Sequence, residues 1–314
     1  METRTRSQGI SAALTSALLM GLLPILGKQA LLMGFSPLAV VMIRSSLAVL
    51  LLFAFMLFQR KYFYIYPVGL VGCGLAGFVN GLGSICYYIA LDRLGASIGH
   101  LLYSFYPLFV AGWLLLDRHS INRLTLFRLI LAVPGVYLLL QTGQNTVDLV
   151  GAGFMLASAI FYALHLIINQ RVLYEVPAPT VTFYTLLSMG LTVMVAYLLF
   201  DRSLPAADVP LWPLAGMALV TFISRLALFL GVKKLGGLQT AMLGLAELLV
   251  TIILAQIWLK EILSLPQWIG ALFVGASLIL VGFDKYTPEK RRRAGWLAWL
   301  NPPGISTTDL PWQN

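Results

Sequence analysis

Long apolar runs follow one another along almost the entire chain, and they constrain its fold more than any other feature. A helix needs about 20 residues to cross the hydrocarbon core of a bilayer. Hydrophobic residues make up 59% of the 314 residues and charged residues only 11%. We place ten apolar runs at roughly 9–32, 36–58, 67–91, 95–116, 121–141, 148–170, 178–200, 211–232, 237–259 and 264–283. The sequence therefore predicts an all-α integral membrane protein with ten transmembrane helices.

Basic residues are distributed unevenly between alternate connecting segments. With the N-terminus placed inside, the outside segments hold only Arg93, Arg202 and Lys260. The inside segments hold Arg4, Arg6, Arg60, Lys61, Arg118, Arg123, Arg128, Arg171, Lys233, Lys234, Lys285, Lys290, Arg291, Arg292 and Arg293. Because cytoplasmic loops of membrane proteins are enriched in Lys and Arg, both termini are expected in the cytoplasm, with the helices crossing a bacterial inner membrane. The net charge of +9 is then a property of these loops, and we expect no nucleic-acid partner.

The two halves of the chain resemble each other when the sequence is shifted by 141 residues. In this register Leu94 falls on Leu235 and Gln29 falls on Gln170. Five spans per half is an odd number, so the second half must be inverted relative to the first, as in many transporters. We divide the chain into a first repeat at 1–141, an inverted second repeat at 142–283, and a basic cytoplasmic tail at 284–314.

The tail combines a basic run with apolar residues. Lys290–Arg293 precede Trp296, Leu297, Trp299 and Leu300. Two interpretations stay open: a disordered tail, or a short interfacial helix that contacts anionic lipid through the basic run.

Several segments resemble a known family in their order and spacing. Residues 96–110 read ASIGHLLYSFYPLFV, residues 246–250 read AELLV, and Ser36-Pro37 precedes Arg44. Together they resemble the drug/metabolite transporter superfamily, EamA branch, over about residues 9 to 283. The resemblance implies a ten-helix secondary exporter or exchanger of metabolites that needs no cofactor and hydrolyses no nucleotide.

Two positions depart from the pattern of that family. The family usually has Glu-Pro where this chain has Glu247-Leu248, so a helix-distorting proline is missing. A Glu is usual at the end of the fourth helix, where the ungapped register places Ser120, with Asp117 one turn earlier.

Polar residues at helical spacing lie inside several spans, where they are costly and therefore informative. We expect these stripes to converge on an aqueous cavity at the midplane, where they bind substrate or couple its movement. The alternative is that they only join helices by hydrogen bonds. The candidate residues are Glu247, Arg225, His165, Tyr162, Asn169, His100, Tyr103, Tyr106, Asn80, Tyr88, Ser84, Ser224 and Arg44.

Glu247 is the most informative single residue, since it lies roughly 15 Å from either end of its predicted helix. It can carry a proton or bind a cationic group of a substrate, or it can form a structural pair with Arg225. Arg44 and Arg225 can clamp an anion or contact backbone carbonyls. Lys28 lies near a helix end, where its ammonium group is expected to extend to the interface.

The predicted fifth and tenth helices are almost without polar residues, so we expect them to face lipid or a second subunit of a homodimer. Three cations and one carboxylate within the spans favour transport of an anionic or zwitterionic metabolite such as an amino acid. The alternatives are export of cationic drugs and, less favoured, a lipid-modifying membrane enzyme. We expect no enzymatic activity, no cofactor and no metal. No repeated filter sequence supports a channel.

Overall fold

A computed structural model describes residues 2–117, 123–139, 148–203, 209–260, 265–280 and 295–300. Within these ranges every regular element is a helix. The α-helices are α1 (Glu2–Met20), α2 (Leu23–Leu32), α3 (Pro37–Phe58), α4 (Pro67–Arg93), α5 (Ala96–Tyr103), α6 (Tyr106–Leu116), α7 (Arg123–Leu139), α8 (Leu149–Leu173), α9 (Ala178–Phe200), α10 (Trp212–Leu235), α11 (Gly237–Gly244), α12 (Ala246–Trp258) and α13 (Leu265–Ile279). Short 3-10 helices lie at Arg60–Phe63 and Ala298–Leu300.

Eight helical stretches in the described residues are long and apolar enough to cross a membrane. They are Arg6–Leu32, Pro37–Phe58, Pro67–Arg93, Ala96–Leu116, Leu149–Leu173, Ala178–Phe200, Trp212–Leu235 and Gly237–Trp258. The protein is therefore a multi-pass membrane protein. The predicted fifth and tenth spans coincide with α7 and α13, of which 17 and 15 residues are described, so the count of ten crossings stays a prediction.

Three of the spans that the sequence predicts as continuous helices are broken. One is divided between α1 and α2 beside Gly21, one between α5 and α6 at Ser104, and one between α11 and α12 at Leu245. The first two breaks lie close to Pro24 and Pro107, which cannot continue a regular hydrogen-bond ladder. The third break occurs although the family's usual proline is missing at Leu248.

A tyrosine from another span explains the break at Leu245. The Tyr106 hydroxyl donates a 3.0 Å hydrogen bond to the carbonyl of Ala241, the group that Leu245 N–H would reach in a regular helix. Leu245 N–H instead bonds to Met242, three residues back. The hydroxyl fits only because residue 244 is glycine, where an added Cβ would overlap it. A side chain inserted into the ladder thus replaces proline as the cause of the break.

Helix α4 lies at the centre of the bundle and packs against both α8 and α9, while α10 packs against α1 and α3. The approach of α4 to α9 is close at Gly77, where an added Cβ would overlap the carbonyl of Thr185. Helices α7 and α13 pack mainly against each other. Their outer residues, such as Ile130 and Leu272, are exposed, which places this pair at the edge of the bundle.

Lys28 does not simply extend to the interface. Its ammonium group donates to the carbonyls of Leu91, Asp92 and Leu94 at 2.9, 3.2 and 3.0 Å. The last carbonyls of a helix have no partner within the helix, so Lys28 caps the end of α4 and joins α2 to it.

The described part of the tail packs into the bundle. Leu297 and Leu300 are 0% and 1% exposed, and the Trp296 ring lies 5.9 Å from that of Trp113. Residues 295–300 are thus neither a free chain nor a helix lying only in the interface, because both leucines are buried by the bundle. The proposed contact of Lys290–Arg293 with lipid lies outside the described residues.

Replacing Gly244 by alanine is expected to destabilise the protein by about 1–3 kcal/mol, because the new methyl group must displace the Tyr106 hydroxyl. The melting temperature in detergent measures this. The matched control is Gly112→Ala, where an added Cβ has nothing within 4 Å. Adding Tyr106→Phe to Gly244→Ala should recover part of the loss. Equal melting temperatures for the two glycine variants would contradict this account of the break.

Candidate functional site

A cavity lies inside the bundle between the two halves of the chain. About 480 Å³ between its walls is free of protein atoms, a figure that includes space open to solvent. Helical spans of both halves contribute charged or polar groups to it, and the α1–α2 break contributes apolar ones. Its lining residues are Met20, Leu23, Pro24, Arg44, Asn80, Gly83, Ser84, Tyr87, Tyr88, His100, Tyr103, Ser158, Tyr162, Arg225 and Glu247.

Most of the candidate residues lie on the wall of this cavity, and four lie behind it. The four are His165, Asn169, Tyr106 and Ser224, all buried. Ser224 donates to the carbonyl of Thr221 in its own helix, so this bond neither faces the cavity nor joins two helices. Tyr106 supports the break at Leu245, and its ring lies 5.0 Å from that of Tyr162.

Glu247 is placed at the beginning of a helix in the middle of a span. It lies in the first turn of α12, where the unpaired N–H groups and the helix dipole favour a carboxylate. Its Oε1 is 3.7 Å from Nε2 of His100, and both side chains are at most 4% exposed. Among the described residues, Oε1 has no hydrogen-bond donor, and no ion pair joins Glu247 to Arg225.

Tyrosine rings form much of the wall around Glu247. The ring centroid of Tyr103 lies 5.2 Å from that of Tyr87 and 5.4 Å from that of Tyr162. The His100 ring stacks on Tyr103 at 5.6 Å, and its Nδ1 lies 3.3 Å from the Tyr87 hydroxyl. These rings hold one another in position, and all four residues line the cavity.

Two guanidinium groups lie on tyrosine faces in the same cavity. Arg44 is 5.2 Å from the ring centroid of Tyr88, and Arg225 is 5.5 Å from that of Tyr162. The Nε atoms of both arginines have no hydrogen-bond acceptor among the described residues. Both cations thus make cation–π contacts, and each keeps at least one buried donor without a protein partner among the described residues.

A chain of polar contacts lies behind Arg225. Its Nη1 is 3.3 Å from Nε2 of His165, whose Nδ1 is 2.9 Å from the amide nitrogen of Asn169. The hydroxyl of Thr185 donates to the Asn169 amide oxygen at 2.9 Å. A neutral imidazole accepts through one nitrogen only, so His165 accepts from Arg225 or from Asn169 but not from both. His165, Asn169 and Thr185 thus form a hydrogen-bonded chain that contacts Arg225 on the side away from the cavity.

Sequence reasoning missed the lining residues that carry no polar signal, namely Met20, Leu23, Pro24 and Gly83. Tyr87 and Ser158 also line the cavity, and helical spacing does identify these two, because they lie on the same polar stripes as Asn80 and Tyr162. Nothing in the local pattern of α1 shows that its end faces the cavity, because that depends on the break beside Gly21.

Comparisons with known proteins agree on one family. The sequence profile described as "EamA-like transporter family" matches twice, at residues 7–141 and 149–283. "Uncharacterized transporter YcbK" of Bacillus subtilis (strain 168) is 27% identical over 275 residues, covering 82% of this chain and 86% of the relative. "Uncharacterized transporter sll1319" of Synechocystis sp. (strain ATCC 27184 / PCC 6803 / Kazusa) is 26% identical over 230 residues, covering 70% and 68%.

A solved structure titled "Crystal structure of protein" has the same fold. It superposes with a TM-score of 0.67 at 15% sequence identity, covering 88% of this chain and 97% of the other. At this identity the likeness concerns the fold alone.

The contact between Thr185 and Asn169 is expected to stabilise the wall behind Arg225. Thr185→Val leaves the buried amide oxygen of Asn169 without its donor, at an expected cost of about 1–3 kcal/mol. Thr182 is the matched control, since it is equally buried on α9 but donates within its own helix to Ala178. Thermal unfolding of both valine variants in detergent tests this. If Thr182→Val lowers the melting temperature as much as Thr185→Val does, the hydrogen bond from Thr185 to Asn169 does not stabilise the protein more than a hydroxyl bonded within its own helix.

Proposed function

The chain belongs to the EamA-like transporter family, and from this premise we propose that it is a secondary transporter that exports or exchanges a small anionic or zwitterionic metabolite, such as an amino acid. One observation carries the proposal. Five buried polar atoms of cavity-lining residues have no hydrogen-bond partner among the described residues: Arg44 Nε, Tyr88 Oη, His100 Nε2, Arg225 Nε and Glu247 Oε1. Buried polar atoms are rarely left unpaired, so these five atoms favour a polar solute as the substrate.

The charges favour a solute that carries a carboxylate. Arg44 and Arg225 supply two permanent cations, and a guanidinium group binds a carboxylate through two parallel hydrogen bonds. Glu247 supplies one negative charge, which suits an amino group of the same solute. A zwitterion can therefore satisfy both signs at once.

The proposed mechanism is alternating access, in which the two halves move around the cavity. The helices α5 and α11 support the pseudo-symmetry, since Ala96–Tyr103 and Gly237–Gly244 lie 141 residues apart in the sequence. We propose ten crossings in two inverted repeats, 1–141 and 142–283, with both termini and the tail at 284–314 in the cytoplasm. The uneven distribution of basic residues supports this orientation and placement in a bacterial inner membrane.

Glu247 is the proposed coupling residue. Its carboxylate contacts His100 and shares the cavity with the solute, so a proton and an amino group would compete for it. Residues of α7 and α13 remain the proposed contact of a homodimer, because this pair lies at the edge of the bundle.

Export of cationic drugs is the second candidate. The rings of Tyr87, Tyr103 and Tyr162 close to Glu247 favour it, since aromatic faces and a carboxylate attract cations. The described residues contain no group of three His, Cys, Asp or Glu side chains able to hold a metal ion, so nothing in them favours a metal-dependent lipid-modifying enzyme.

A screen of melting temperature against amino acids, organic anions, nucleotides and cationic drugs tests the substrate class. A ligand at 100 times its Kd stabilises the folded state by about 2.7 kcal/mol. We expect amino acids or organic anions to raise the melting temperature of the wild type and of Arg202→Ala, but not of Arg225→Ala. Stabilisation by cationic drugs alone, lost in Glu247→Gln, would instead favour the second candidate.

Replacing Glu247 by glutamine is expected to abolish the dependence of transport on pH. The reason is that an amide side chain neither binds nor releases a proton over the pH range of a transport assay. The measurement is uptake into liposomes as a function of external pH, with Glu175→Gln as a control outside the cavity. A Glu247→Gln variant with wild-type dependence on pH would remove this residue from the coupling role.

A further inference from the structure

A buried ion pair joins the two halves of the chain at one end of the bundle. Asp117 follows α6 in the first half and Arg171 lies near the end of α8 in the second, and their side chains pair while 0% and 1% exposed. We call this end, which also contains residues 295–300, the tail end. Each charge is paired with the other away from water in this packing, so separation of α6 from α8 must break the pair and hydrate both groups.

The part of α8 between the cavity and the tail end is tightly packed. Leu166, Ile167, Ile168, Val172 and Leu173 of α8 are each at most 1% exposed. The cavity lies nearer the opposite end, since Tyr88 and His100 line it within about two helical turns of the α4–α5 junction. The lining residues of the cavity do not include Asp117, Arg171 or the residues at 295–300, so the cavity does not extend to the tail end in this conformation.

Residues 295–300, which we call the tail segment, cover the ion pair. The backbone N–H of Leu297 donates to Oδ1 of Asp117 at 3.4 Å. Leu300 reaches the contact between α4 and α8, where an added Cβ on Gly72 would lie 2.7 Å from Cγ2 of Val172 and 2.9 Å from Cδ2 of Leu300. The tail segment thus contacts α4 and the end of α6, and it lies beside the place where α8 packs on α4.

We propose that the tail segment is a latch that holds the tail end closed and leaves it when the cavity opens to that side. This inference rests on the alternating-access function proposed above. Movement of α8 away from α4 and α6 breaks the Asp117–Arg171 pair and exposes Leu297 and Leu300 to water. Because buried apolar surface and a backbone hydrogen bond are lost together, the latch favours the closed state and sets how often the tail end opens.

The test compares two full-length variants in nanodiscs. Leu297→Asp places a charge at a buried site beside Asp117, whereas Trp299→Asp is the matched control, since Trp299 is 50% exposed. Each carries Val172→Cys as reporter in a background where Cys73 and Cys86 are replaced by serine. We expect a hydrophilic maleimide to label the introduced thiol several-fold faster in Leu297→Asp than in Trp299→Asp or the parent.

A second pair of variants keeps the test decisive if Leu297→Asp does not fold. A chain that ends at Ala294 lacks the tail segment, and a chain that ends at Leu300 keeps it. Faster labelling in the shorter chain alone is the expected result. Equal labelling rates for both chains would overturn the latch.

The melting-temperature screen separates failure of the latch from failure of the proposed transport. The cavity is remote from the tail segment, so the chain that ends at Ala294 should still be stabilised by the ligand that stabilises the wild type. Equal labelling with ligand binding intact rejects the latch alone. If no solute stabilises any form, the proposed function fails first, and the latch, which rests on it, fails with it.

Discussion

The structure depends on one constraint, which is that polar groups within the hydrocarbon must find partners inside the protein. Each helix break leaves carbonyl groups that the helix no longer satisfies, and hydroxyl groups from other spans satisfy them at two of the breaks. Thr251 donates to the carbonyl of Gly21 at 3.0 Å, and Tyr106 donates to that of Ala241. These breaks are therefore properties of pairs of spans rather than of single sequences, and they bring discontinuous helices to one cavity.

The same constraint divides the charged residues of the bundle into two groups. Lys28 and Arg171 have their polar contacts with protein groups at the two ends of the bundle. Arg44, Arg225 and Glu247 instead face a shared cavity in which several of their polar atoms have no partner among the described residues. Depth in the membrane alone does not distinguish these two groups, whereas the neighbours of each side chain do.

Periodicity predicted most of the helices and many of the cavity residues, because polar side chains inside a span are costly unless they face a cavity or another polar group. Nine of the candidate residues, among them Asn80 and Arg225, line the cavity for this reason. Sequence could not place the break at Leu245, which depends on Tyr106, 135 residues before Ala241. It could not assign Lys28 to the end of α4 or the tail segment to Asp117 either, since both contacts are between distant parts of the chain.

The buried ion pair also restricts the order in which the chain can be assembled. Asp117 is synthesised 54 residues before Arg171 and 180 residues before Leu297, whose N–H group contacts it. Until α8 is inserted, this carboxylate lacks the guanidinium group of Arg171, and a charge is costly away from water. The end of α6 is therefore expected to stay hydrated during synthesis, and the tail end acquires its final packing only after residues 295–300 have left the ribosome.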